Sequence, residues 1–171
     1  VLNLEGVFQR DAPKFLLGGD FLKRDVWGFD LNARRMFRTE APPKGSATRL
    51  KWKNHEDYRD ASLNSIYLQG KIAGRKTRIF FDTGIRGCGL PQSFGVAATK
   101  MIDGESANIA ESLAKVHRAI CEGVRVEFSN YQCALDFALL EKEKYPRVNA
   151  SFLKGKSFVL DYGRKSLYIL E

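Results

Sequence analysis

Apolar and polar residues alternate along Ser62-Leu63-Asn64-Ser65-Ile66-Tyr67-Leu68-Gln69-Gly70, the period-two pattern of a half-buried strand. Gly70 and Gly74 then suit a turn. The apolar run Thr77-Arg78-Ile79-Phe80-Phe81 leads straight into Asp82-Thr83-Gly84. This pattern predicts a β-hairpin that delivers an Asp-Thr-Gly turn at a strand end. Farther on, Val124-Arg125-Val126-Glu127-Phe128 alternates cleanly, and 134–140 reads as a more deeply buried strand. Residues 96–123 admit two readings. Asn108 suits the cap of a helix with Ile109, Leu113, Val116 and Ile120 on one face, whereas Met101-Ile102-Asp103-Gly104-Glu105 suits the first arm of a β flap.

Two segments repeat without a gap at an offset of 131 residues. Leu17-Gly18-Gly19-Asp20-Phe21-Leu22-Lys23 matches Val148-Asn149-Ala150-Ser151-Phe152-Leu153-Lys154, and 26–31 matches 157–162. Each continues through a polar turn, 32–35 or 163–166, into an apolar strand, so each predicts a hairpin. Asp30 and Asp161 occupy the same place in the two copies, where a turn-stabilising role is expected. The repeat divides the chain into closing strands of a preceding lobe at 1–40, a basic linker at 41–61 and a lobe at 62–171. The body of the earlier lobe is then expected upstream of Val1.

The chain has 171 residues, 44% hydrophobic and 28% charged, a composition that fits a packed globular fold. No apolar run approaches the roughly 20 residues of a transmembrane helix, and 1–5 lack a basic stretch followed by an apolar one. Cys88, Cys121 and Cys133 have no metal-ligand spacing, and only His55 and His117 accompany them. No zinc site or other cofactor is therefore expected, and the thiols read as buried apolar residues that favour a reducing compartment, such as the cytoplasm. The net charge of +8 is concentrated at Arg34, Arg35, Arg38, Lys44, Arg49, Lys51 and Lys53. A solvated linker accounts for these charges; without a nucleic-acid-binding motif they argue against a nucleic-acid partner.

The residues 79–84, the later 148–153 and the earlier 16–22 together resemble the pepsin–retropepsin aspartic proteases. In that family a lobe opens with a hairpin and reaches Asp-Thr-Gly or Asp-Ser-Gly at a strand end. An apolar–apolar–Gly motif, a Phe-Leu pair and a terminal hairpin follow. The resemblance implies a mostly β, acid-protease-like barrel lobe with a short helix or flap segment, the flap falling within 96–123. Asp82, Thr83 and Gly84 are then the catalytic turn, and a protein or peptide is the substrate. Family chemistry requires two carboxylates that share a proton, one acting as base and the other as acid. The second is expected from the upstream lobe or from a second subunit completing the cleft, and the 131-residue repeat favours the upstream lobe.

Departures from the family pattern set a second reading beside the first. Ile85 stands where the family carries a small residue, and Arg86 follows it. Gly18-Gly19 keeps the motif glycine in the first copy, but Asn149 or Ala150 replaces it in the second, which predicts altered packing around the turn. One reading is an aspartic endopeptidase; the other is an inactive protease-derived structural or protein-interaction subunit.

Overall fold

A computed structural model describes residues 18–41, 43, 45, 47–53, 65–85, 87–108 and 111–170. A short helix, α1 (Gly19–Leu22), precedes the hairpin β1 (Val26–Asp30) and β2 (Arg35–Thr39). Strand β3 (Thr48–Lys53) leads to the hairpin β4 (Ile66–Ile72) and β5 (Arg75–Phe81). After β6 (Cys88–Pro91) comes a long hairpin, β7 (Lys100–Asn108) and β8 (Glu111–Glu127), then β9 (Gln132–Leu140) and β10 (Arg147–Val148). The hairpin β11 (Phe158–Asp161) and β12 (Ser166–Ile169) completes the order.

All twelve strands form one sheet in the order β2-β1-β11-β12-β3-β4-β5-β10-β6-β9-β8-β7. An added pairing of β4 with β8, Lys71 opposite Glu127 and Ile72 opposite Val126, closes six of them into a barrel: β4, β5, β10, β6, β9 and β8. Alternation drives the closure. In β9, Cys133, Leu135 and Phe137 are buried while Gln132, Ala134 and Asp136 face out. Leu68, Ile72, Ile79, Leu90, Val126 and Val148 are likewise sealed inside. Each such side chain contributes about 1.5–3 kcal/mol by leaving water. The β4–β5 connection is the two-residue turn Ala73-Gly74, both at positive φ, a geometry whose twist matches that of the flanking strands.

Of the two readings of 96–123 the structure takes one, and one further expectation changes. Residues 96–123 hold the β7–β8 flap hairpin, not a helix: Lys100 lies opposite Ile120, and the ladder continues to Asn108 opposite Glu111. Between Cys121 and Val124 the β8–β9 register slips, with Gly123 at φ 63°. That bulge resets the alternation, so Cys121 and Val124 are both buried.

The stretch 41–61, expected as a linker, contributes β3, which pairs with both β12 and β4. Its basic residues Arg49, Lys51 and Lys53 are exposed, while Leu50 and Trp52 between them are buried. A charge run in sequence is one face of a strand in space. His55 lies outside the described residues. His117, on the flap, is exposed and sits 2.6 Å from Asp103. All three cysteines are free and buried, and burial pushes the Cys133 thiol up to about 11.

The repeated segments form the same hairpin, while the turns ahead of them end differently, Lys23 right-handed at φ −70° and Lys154 left-handed at φ 51°. Helix α1 and the 3-10 turn at Ala150–Leu153 lie 131 residues apart, as do the strands that follow them. Arg34 (φ 52°) and Lys165 (φ 45°) are left-handed at the same turn position. Asp30 accepts the Ala33 amide at 2.9 Å, and Asp161 accepts the Arg164 amide at 2.8 Å, confirming the turn-stabilising role of both. Strands β1 and β11 pair antiparallel from Val26 opposite Asp161 to Phe29 opposite Phe158. The ladder includes Gly28 opposite Val159, which are equivalent residues of the repeat. A local two-fold axis therefore passes between them.

Candidate active site around Asp82

Strand β5 ends at Phe81, whose ring packs edge-on against Phe152 and Phe158. On the other face Phe80 stacks on Tyr67 at 5.2 Å. These contacts fix the strand end from which Asp82 emerges. Alongside runs β10, parallel to β5, with Arg147 opposite Phe80 and Val148 opposite Phe81. The Phe80 amide donates to Pro146 O at 2.8 Å and the Asp82 amide to Val148 O at 2.9 Å.

On its far side β10 pairs with β6, Arg147 opposite Gly89. Thus β10 lies between two strands that the 82–87 turn connects. Gly89 leaves room there for two side chains: a Cβ would lie 2.3 Å from Leu140 Cδ1 and 3.0 Å from Arg147 Nε, so both would have to shift.

The predicted site residues therefore come together in one turn. Asp82 is half-buried, and Thr83 and Gly84 are exposed. The Gly84 amide donates to Asp82 Oδ1 at 2.8 Å, and a Cβ on Gly84 would stand 3.2 Å from that same oxygen. Glycine thus lets the amide close on the carboxylate without crowding it. Among the described residues, no second carboxylate shares a hydrogen bond with Asp82. Ile85 is half-buried, and Arg86 lies outside the described residues.

Asn149 or Ala150 replaces the motif glycine in the second copy. The structure shows a side chain with several partners. Asn149 Nδ2 donates to Ile85 O at 3.2 Å. Its Oδ1 accepts the Ser151 amide at 3.0 Å and the Ser151 hydroxyl at 2.6 Å. The Cys88 thiol points to the same oxygen at 3.7 Å. Asn149 has φ −100° and ψ −172°, extended backbone that any residue adopts. The sequence signal was Asn-Ala-Ser ahead of a turn, a capping pattern.

A closed six-stranded barrel, a central strand wedged beside an Asp-Thr-Gly turn, a flap hairpin and a terminal hairpin define an acid-protease-like β-barrel lobe. Among solved structures, a retropepsin-like aspartic protease from Rickettsia conorii is similar, with a TM-score of 0.49 and 16% sequence identity. The match covers 72% of this chain and 91% of that one. No family model and no curated protein matches the sequence.

Proposed function

We propose that this chain supplies one half of an aspartic endopeptidase centre, with Asp82 as one of two carboxylates that activate water against a peptide bond. The observation that carries this reading is the placement of Asp82. It sits at the end of β5, tied by its amide to β10 and by its carboxylate to the Gly84 amide. Two such carboxylates held close together cannot both ionise comfortably, so they share a proton. The ionised one takes a proton from water as the water attacks the carbonyl carbon, and the protonated one donates to the leaving amine. Thr83 would steady the turn against its counterpart, as the family resemblance implies.

The partner aspartate would come from a lobe preceding 62–171, or from another chain. The repeat supports the preceding lobe. Residues 1–40 would be that lobe's closing strands, and a barrel seated on β1–β2 as this barrel is seated on β11–β12 would stand across the local two-fold axis.

One observation favours the alternative of a catalytically inactive interaction subunit: Ile85, bulky and half-buried, follows the turn where the family carries a small residue. A single experiment separates the two. The full-length polypeptide is assayed for peptide cleavage across acidic to neutral pH, with and without pepstatin and with Asp82→Asn. Pepstatin-sensitive cleavage that favours acid and vanishes in the variant establishes the endopeptidase. Folded protein that neither cleaves nor binds the inhibitor establishes the interaction subunit.

A further inference from the structure

Residues 148 and 149 grip the Asp82 turn at three successive points. The Val148 carbonyl accepts the Asp82 amide at 2.9 Å. Next in sequence, the Asn149 side chain donates to Ile85 O at 3.2 Å and accepts from Cys88, at the turn's far end, at 3.7 Å. We propose that Asn149 is a positioning residue for Asp82, its side-chain amide clasping the turn that orients the carboxylate. This rests on the reading of Asp82 given above.

Three arguments carry it. Backbone geometry does not demand asparagine, because φ −100° and ψ −172° suit any residue. Capping does not demand it either: holding the Ser151 amide uses only Oδ1, which serine, threonine or aspartate would supply equally. The donor toward Ile85 is what an amide adds, since it offers donor and acceptor on one planar group. Rotating that group by 180° would aim its NH2 at the Ser151 amide, donor against donor, so the network fixes its orientation.

The equivalent position in the first copy makes the point by contrast. Gly18 caps α1 with the same extended backbone, φ −80° and ψ 170°, and no side-chain bond. A Cβ there would meet nothing within 4 Å among the described residues. Extended backbone at this position is thus compatible with glycine, and the asparagine side chain is not needed to form it.

The path to the carboxylate is short. Fixing the Ile85 carbonyl restrains the backbone at Ile85 and limits the swing of its neighbour Gly84, whose amide holds Asp82 Oδ1. Without the clasp, the turn keeps its anchor at Asp82 N but loses the one at Ile85.

The test compares Asn149→Ser, which keeps a capping oxygen but cannot reach Ile85 O, with Asn149→Gly, which copies position 18. Amide NMR follows the Gly84 proton across the Asp82 titration, with Asp82→Asn as the blank. We expect the wild-type signal to move with Asp82 ionisation and that movement to fall by about half or more in both variants, since a donor freed to swing no longer tracks the charge. The Asn149→Ser melting temperature should stay within about 3 °C of wild type. Where cleavage is measurable, kcat should fall about tenfold or more with KM nearly unchanged, as for a displaced reacting group.

A Gly84 titration in Asn149→Ser equal to wild type would reduce Asn149 to a cap and overturn the proposal. So would a wild-type Gly84 signal indifferent to Asp82. Neither readout depends on peptide cleavage, so an inactive protein leaves the clasp testable.

Discussion

The hairpins β1–β2 and β11–β12 have the same backbone and very different surroundings. Every residue of β11 and β12 is buried. In β1 only Gly28 is buried, and β2 has no buried residue, with Arg35, Phe37 and Arg38 exposed. Local sequence sets the shared shape: an aspartate accepting the amide three residues on, then a left-handed residue at 34 or 165. The barrel sets the difference, since Phe158, Leu160, Leu167 and Ile169 pack into its core. Their counterparts Trp27, Phe29, Met36 and Arg38 have no barrel of their own among the described residues. Conformation was written into each repeat; burial came from what each repeat packs against.

The sharpest way to break this comparison is to truncate the same position in both copies. Phe158 is 1% exposed, stacked on Phe29 at 4.7 Å and edge-on to Phe81. Phe158→Ala should destabilise the protein by about 3–5 kcal/mol, the usual cost of an emptied aromatic site. Trp27 is half-buried and keeps one aromatic partner, Phe21 at 4.9 Å. Trp27→Ala should cost only about 1–2 kcal/mol, even though more atoms are removed. Denaturant midpoints with unchanged slopes provide the measurement. Equal losses would mean the first hairpin is as well packed as the second.

The same division explains what could be read from the sequence. The repeat and the β4–β5 hairpin ending in Asp82 were legible because they rest on local alternation and turn chemistry. What was missed depended on distant partners. The flap strand β8 was ambiguous because its own spacing suits a helix, and what makes it a strand is the ladder it forms with β7 and β9. Strand β3 was hidden by its charges: Leu50 and Trp52 alone, two apolar residues among lysines and arginines, look like linker until β12 and β4 cover them. Asn149 registered as a lost glycine because its partners, Ile85 and Cys88, lie 64 and 61 residues away.

A smaller effect should separate the two turn aspartates. Asp161 is 2% exposed and holds both the Arg164 amide and its guanidinium, at 2.8 and 2.9 Å. Asp161→Ala removes a buried acceptor that ties the turn together and should cost about 1–1.5 kcal/mol. Asp30 makes the equivalent bonds in the open, to the Ala33 amide at 2.9 Å and to Arg35 at 3.4 Å, and its replacement should barely move the midpoint at neutral pH. Its signature lies in acid. The Ala33 amide, with help from Arg35, holds the Asp30 carboxyl below its ordinary value of 3.8. Such a carboxylate favours folding above its unfolded value, and that contribution disappears as pH falls through the folded one. Asp30→Ala should therefore lower the neutral plateau slightly and flatten the acid limb to match, the two profiles converging in acid below the folded value. A large loss at neutral pH would show the first turn to be buried by something that the second turn lacks.

The smallest expected effect probes the axis itself, where Gly28 faces Val159. Valine is buried in the second copy at 3% exposure; glycine replaces it in the first because the Phe37 ring lies across it. A Cβ on Gly28 would stand 2.3 Å from Phe37 Cζ, with two more ring carbons within 2.9 Å. The obstacle is the far end of a side chain that is 42% exposed, so it has solvent to move into. Gly28→Val should then cost about 1 kcal/mol, the low end for a small-to-large change. The added β-branched side chain also suits a strand better than glycine does, which limits the loss further. A penalty above about 3 kcal/mol, beyond the usual range for overpacking, would mean that Phe37 is held in place. The open face of the first hairpin would then already be occupied, and the contrast between the two copies would be one of packing partner, not of packing itself.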